Sequence, residues 1–240
     1  MTGGSRGIGR AVAAALTAAG ARVTVLGRDQ GALERVVAAG EAGSFVLADV
    51  TNAGELDAAI ARIGTRIDLL VANAGGAVSK PFERTDAGDF SAMLGVNLMG
   101  VVNASRAVLP GMRERGFGRI VAVASTAGLK GYPYVSAYCA AKHAVIGLVR
   151  SLAMEVARTG VTVNAVCPGF TDTDLVSTSL DRIVQKTGRT RDEALSELTK
   201  SNPQGRLVQP VEVADAVVWL CGGSAGSVTG QAIAIAGGEV

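Results

Sequence analysis

Apolar runs of strand length alternate along this chain with longer stretches whose apolar positions recur at helical spacing. The runs predict strands over 22–26, 44–48, 68–72, 119–124, 161–166 and 232–235. The stretches between them predict helices over 7–19, 30–39, 53–63, 87–112, 137–158 and 211–220. Strand–helix alternation implies an α/β fold: a doubly wound parallel sheet with right-handed crossovers and helices on both faces. No internal repeat or linker interrupts it, so residues 1–240 read as a single domain. The departure is a polar stretch over 173–205, after the 161–166 strand. Within it Thr190 and Glu193 have capping-box spacing and predict a helix start. A helical insertion above the strand ends is expected to act as a substrate lid.

The pattern also has a gap. Residues Thr2-Gly-Gly-Ser-Arg-Gly-Ile-Gly9 form a glycine-rich turn of the kind that links a buried strand to a helix. Gly3, Gly7 and Gly9 carry no Cβ, so a pyrophosphate can approach the backbone. The following helix then points its free N–H groups and dipole at it. Only Met1 precedes this turn, so the first strand is absent from the sequence. Leaving the place of a buried strand empty would unpair the strand edges beside it. The expectation is a start placed about six residues late, with Met1 in the last strand position.

Composition narrows the function. The 240 residues carry a net charge of +2, too weak for a nucleic-acid partner. Cys139, Cys167 and Cys221 are scattered with no CxxC spacing, which suits free thiols in a reducing, cytoplasmic setting. His143 is the only histidine, so a histidine metal site or a Ser-His-Asp triad is not expected, and no metal is. The uncharged stretch 216–238 is broken by glycines and hydroxyl residues and reads as helix, turn and strand, not as a membrane span.

The chemistry sits in the second half. Tyr138 and Lys142 are four residues apart in a predicted helix, on one face. A neighbouring ammonium favours the phenolate and should lower the Tyr138 pKa from about 10. Ser125 ends the apolar run from Ile120 to Ala124, which puts its hydroxyl at a strand C-terminus. Asn97 lies mid-helix among Leu94, Val96, Leu98 and Met99, and needs partners if buried. Cys139 has no base partner and reads as packing; His143 reads as helix surface.

The ordered set of the glycine turn, Asp49-Val50, Asn73-Ala-Gly75, Asn97, Ser125, Tyr138-x-x-x-Lys142 and Pro168-Gly-Phe-Thr-Asp-Thr173 resembles the classical short-chain dehydrogenase/reductase family. The resemblance covers essentially the whole chain and implies a Rossmann-like fold. It implies that Tyr138 is the general acid/base, that Ser125 orients the substrate carbonyl, and that Lys142 binds the nicotinamide ribose. It further implies that Asn97 holds a relay water. The cofactor set it implies is Gly3, Ser5, Arg6, Gly7, Ile8, Gly9, Arg28, Asp49, Val50, Asn73, Ala74, Gly75, Tyr138, Lys142, Pro168, Gly169, Thr171 and Thr173.

For the cofactor, Gly27 stands where NAD-preferring members hold a carboxylate, and Arg6 and Arg28 could grip a 2′-phosphate. NADPH is favoured, with NAD possible if Asp29 reaches the ribose. The C-terminal third is similar to 3-oxoacyl thioester (carrier-protein or coenzyme A) reductases and polyketide ketoreductases. The expected function is therefore NADPH-dependent reduction of a ketone, a 3-oxoacyl thioester first, to the secondary alcohol. Arg182, Lys186, Arg189, Arg191 and Lys200 could meet an anionic acyl carrier. Interleaved with Asp181, Asp192, Glu193 and Glu197, they read equally as a solvated face. The alternatives are an NAD-dependent 3-hydroxyacyl-CoA or general alcohol dehydrogenase or carbonyl reductase, with Tyr132, Tyr134 and Phe170 lining its pocket, and a non-catalytic nucleotide-binding module. The apolar last helix and strand, with the two long helices, lead to an expected homotetramer.

Overall fold

The computed structural model describes residues 1–174 and 176–240 in full. Its strands are β1 (Thr24–Gly27), β2 (Ser44–Leu47), β3 (Leu69–Ala72), β4 (Gly118–Val123), β5 (Val161–Pro168) and β6 (Ala232–Ile235). All pair in parallel: β1 with β2, and β3, β4, β5 and β6 in that order. β4 and β5 are buried along their whole length, which is why both read as near-continuous apolar runs.

The two sheet segments meet at the chain start. Thr2 bridges Leu26 on one side and Ala72 on the other, both in parallel. Leu26 N donates to Met1 O at 2.8 Å, and Thr2 N donates to Val71 O at 3.0 Å. Met1 and Thr2 thus fill the last position of the central slot, as expected. Below them a cavity of about 610 Å³ opens between β1 and β3. Val23, Leu26, Leu69 and Val71 line it from the strands, and Leu16, Leu56 and Val108 from the helices. β1 starts at Thr24, two residues later than expected, next to this cavity.

Helices cover both faces. On one, α1 (Gly7–Ala18), α2 (Gln30–Ala38) and α9 (Pro210–Cys221) bury Val12, Leu16, Leu33, Val36, Val213 and Val217 against Val25, Val71, Val121 and Val166. On the other, α3 (Ala53–Ile63), α5 (Gly100–Glu114) and α6 (Ser136–Val156) bury Leu56, Val108, Met112, Val145 and Val149 against Ile120, Ala122 and Val163. Local signals set the helix starts. Asp29 and Asn52 each accept a backbone N–H from the first turn, and Gln209 forms a capping box with Glu212 ahead of Pro210.

The helix expected over 87–112 is in three parts. α4 (Ala87–Leu94) is followed by a π-helical turn, Gly95–Met99, and then by α5, which runs on to Glu114. This run is long and apolar enough to cross a membrane by composition, but Val101, Ala104, Val108 and Met112 are buried in the core. The polar stretch forms α7 (Asp174–Thr187) and α8 (Arg191–Thr199), and the capping box of Thr190 and Glu193 is present. Val176, Leu180 and Ala194 pack with Phe170 and Leu207 in a small separate core.

Candidate active site

The glycine turn packs onto the end of β3. Gly3 and Gly7 have φ of +64° and +52°, a region that side chains rarely adopt. At Gly9 the constraint is space, because a Cβ there would stand 2.1 Å from Gly3 O. Gly3 O also accepts from Asn73 Nδ2 at 2.9 Å. The Thr2 hydroxyl accepts the backbone N–H groups of Asn73 and Ala74, each at 3.1 Å. Thr2 thereby locks the turn to the Asn73–Gly75 segment, a role the sequence reading did not assign. The signal was its place directly before the first glycine.

Around this turn the remaining expected cofactor residues converge only in part. Ser5, Arg6 and Ile8 lie in the turn and the first turn of α1, with Arg6 exposed at the helix N-cap. Thr173, at the N-cap of α7, sits across from the turn: a Cβ on Gly7 would meet its Cγ2 at 3.2 Å. Thr171 Oγ1 donates to Gly169 O, which fixes the bend after Pro168 at the end of β5. Val50 is buried and its carbonyl accepts from Asn103 Nδ2 at 2.9 Å.

The ribose-reading residues differ in arrangement from the expectation. Arg28 does not stand free: its Nη1 lies 3.3 Å from Asp49 Oδ2, with the arginine side chain 77% exposed. Asp49 also accepts from Thr51, and these bonds hold its carboxyl below the usual range. Asp29, the competing ribose reader, is spent as the N-cap of α2, accepting from Ala32 N at 3.0 Å.

The reacting groups meet at the C-terminal ends of β4 and β5. Ser125 follows β4 with Ala124 between, and its hydroxyl accepts from Ala127 N. It also hydrogen-bonds Tyr138, one turn into α6. Lys142 lies one turn further on, buried, and its Nζ donates to Val123 O at 2.9 Å and stands 5.6 Å from the Tyr138 ring centre. Burial lowers Lys142 to about 8.

The expected lowering of Tyr138 by Lys142 is not what this arrangement gives. Burial pushes the phenol up, and the opposing influence is the Ser125 hydrogen bond. The physical reason is that the ammonium points at the Val123 carbonyl, and burial costs the phenolate more than the available hydrogen bond returns.

Asn97 is buried inside the π-helical turn. Its Nδ2 donates to Gly76 O at 2.9 Å and Met93 O at 3.0 Å, and its Oδ1 accepts from Gly76 N. The mid-helix asparagine therefore has backbone partners, and π turns recur at functional sites. Gly75 is required here, since a Cβ would lie 2.6 Å from Asn97 Oδ1. The sequence reading missed Gly76, whose backbone is the asparagine's partner.

The aromatic wall is also partly as expected. Tyr132 and Phe170 stack edge-to-face at 6.0 Å. Tyr134 is exposed and has φ of +67°, the one described non-glycine residue in that region. The three cysteines are free, and no cluster of metal-ligating side chains occurs among the described residues.

The family model for short chain dehydrogenases matches residues 1–202. This chain belongs to the short-chain dehydrogenase family. Among its relatives, an acetoacetyl-CoA reductase of Rhizobium meliloti is 37% identical over 100% of this chain and 96% of that protein. A 3-oxoacyl-[acyl-carrier-protein] reductase of Vibrio harveyi is 36% identical over 99% of this chain and 95% of that protein. The solved structure of an actinorhodin polyketide ketoreductase with NADPH superposes with a TM-score of 0.93 at 37% identity, covering 99% of this chain and 95% of that one. The chain is therefore an NAD(P)-dependent oxidoreductase of the ketoreductase type, with a Rossmann-like fold.

Proposed function

We propose that this short-chain dehydrogenase reduces the ketone of a 3-oxoacyl thioester to the secondary alcohol with NADPH. The observation that carries the reading is the Ser125–Tyr138 hydrogen bond at the strand ends, with Lys142 buried beneath it. The glycine cradle fits a dinucleotide, because a Cβ at Gly3 or Gly9 would fill the space its backbone leaves. The nicotinamide supplies the hydride that reaches the carbonyl carbon.

The chain's residues do the rest. Ser125 donates to the carbonyl oxygen and sets its position. Tyr138 holds a proton because burial keeps its pKa high, and delivers it to that oxygen as the new C–H bond forms. Lys142 binds the ribose and places positive charge near the developing phenolate. Asn97, through its grip on Gly76, keeps the segment after β3 and the α4–α5 turn in register.

Lys142 gives the reaction a pH limit. Its cationic form dominates below about 8 and is lost as the pH rises through that value. kcat/KM for reduction is expected to be flat from about pH 6 to 7 and to fall roughly tenfold per unit well above the Lys142 value. A profile still flat at about pH 10 would remove Lys142 from the mechanism.

Three features support NADPH over NADH. Gly27 ends β1 without a carboxylate, Asp29 is committed to its helix cap, and Arg28 is exposed on a weak ion pair that a 2′-phosphate can displace. Arg28→Ala is expected to reduce kcat/KM with NADPH about three- to tenfold and to leave NADH nearly unchanged, a modest effect because the guanidinium is solvated. Equal losses with both cofactors would exclude Arg28 from phosphate recognition. The same assay, run with acetoacetyl-CoA and with a simple ketone of similar size, tests the substrate. The thioester is expected to lead by at least about tenfold.

Among the described residues Arg182 and Lys186 on α7 and Lys200 at the C-cap of α8 carry no ion pair, which leaves cations for an anionic acyl carrier under a lid. Met154 on α6 and Trp219 and Val211 on α9 are exposed apolar residues, the faces a homotetramer would cover. The free thiols suit a reducing, cytoplasmic compartment.

A further inference from the structure

The C-terminal residues bring a buried carboxylate to the wall of this site. The Glu239 side chain is 1% exposed. Its Oε1 accepts from the Tyr132 hydroxyl at 2.6 Å and lies 3.1 Å from Lys130 Nζ. Ser201, at the end of the α7–α8 stretch, hydrogen-bonds the same carboxyl. Its Oε2 lies against the Pro168–Gly169 bend, where a Cβ on Gly169 would stand 3.2 Å away. The tail that carries it is clasped: a Cβ on Gly237 would fall 2.1 Å from Asn202 Oδ1, and Pro203 packs beside Gly238.

The contacts run on to the reacting groups. The Tyr132 hydroxyl also lies 2.6 Å from Thr126 Oγ1, and Thr126 is the residue after Ser125. The Tyr132 ring meets Phe170 edge-on. One carboxylate therefore ties together the 126–132 loop, the bend after β5 and the end of the helical insertion. A buried charge of this kind is retained only where its partners hold it, and a lost partner leaves it strongly unfavourable. Burial and the neighbouring carboxylate keep Tyr132 protonated, so it remains a hydrogen-bond donor.

We propose that Glu239 is a positioning residue that fixes the Tyr132–Phe170 wall and the Ser125 loop against the helical insertion, and so sets the ketone's place relative to Tyr138. This rests on the ketone-reductase reading above. Glu239 meets the expected cofactor residues at the Pro168–Gly169 bend through Oε2, but its hydrogen bond and ion pair go to Tyr132 and Lys130, so its larger effect falls on the ketone side and not on the dinucleotide.

The test compares Glu239→Ala, Glu239→Gln and Tyr132→Phe in the full chain. Glu239→Ala is expected to raise the ketone KM about tenfold and lower kcat further, since sub-ångström misplacement of reacting groups is costly, while NADPH affinity by fluorescence titration stays within about twofold. Glu239→Gln, which keeps an acceptor for Tyr132, is expected to recover most of the KM. Tyr132→Phe on top of Glu239→Ala should add little, because both break one chain of contacts. Amide exchange over 126–132 should rise in Glu239→Ala and not in Glu239→Gln. An unchanged ketone KM, a Glu239→Gln variant no better than Glu239→Ala, or a parallel loss of NADPH affinity would each overturn the proposal. If the wild-type chain reduces no ketone, the function reading fails. The exchange measurement still decides whether Glu239 holds the loop.

Discussion

Tyr138→Phe is expected to lower kcat for ketone reduction by about 10²–10⁴-fold, the range of a positioned general acid, with NADPH affinity nearly unchanged. The substitution removes one hydroxyl and leaves the ring where it packs, against Met93, Ala137 and Ala141. Lys142 stays anchored on the Val123 carbonyl, so the ribose side is left as it was. Ser125 loses its partner and can still donate to the substrate oxygen, which leaves polarisation without a proton source. Residual turnover should then draw its proton from water. Stopped-flow oxidation of NADPH and a separate fluorescence titration of cofactor binding check the two halves. A variant with wild-type turnover on every accepted ketone would show that the proton comes from elsewhere.

The second large effect is on the glycine turn. Gly9→Ala is expected to weaken cofactor binding by about 10²-fold or more, since the phosphate cradle must move to admit the methyl group. The new Cβ would stand 2.1 Å from Gly3 O, a backbone atom, and 2.5 Å from Asn73 Nδ2, a side-chain end held by its hydrogen bond to Gly3 O. The same shift breaks the Asn73–Gly3 hydrogen bond. Overpacking of this kind costs about 1–3 kcal/mol, so the melting temperature should also fall by roughly 2–12 °C in a domain of this size. Gly54→Ala is the control. Gly54 is exposed in the first turn of α3, where a Cβ would make an ordinary 3.6 Å contact. It should keep cofactor affinity and lose no stability. Thermal melts and NADPH titrations of both variants separate crowding at Gly9 from the general effect of adding a methyl group.

Much of the fold was legible because its signals are local. The β4 and β5 runs are buried on both faces and so are largely apolar, and helix caps such as Thr190 with Glu193 act over one turn. The parallel pairing of the strands followed from their alternation with helices. The site residues were equally legible as positions: Ser125, Tyr138 and Lys142 meet because a strand end and one helical turn bring them together. The family and its oxidoreductase chemistry followed from that order of motifs.

The sequence by itself thus determined the alternation of strands and helices and the positions of Ser125, Tyr138 and Lys142, which meet at the strand ends. Tertiary structure decided the rest, because most of the remaining features depend on partners far away along the chain. Asn97 sits in a π turn since Gly76, some twenty residues earlier, supplies its bonds. Tyr138 is raised and not lowered since burial, a property of the whole packed site, outweighs the nearby lysine, whose ammonium is aimed at Val123. Arg28 is held by Asp49 and Asp29 by its own helix, a division that two adjacent residues in a loop do not reveal. Glu239 reaches Tyr132 only because the tail folds back over the end of the sheet, where desolvation turns an ordinary terminal carboxylate into a fixed acceptor.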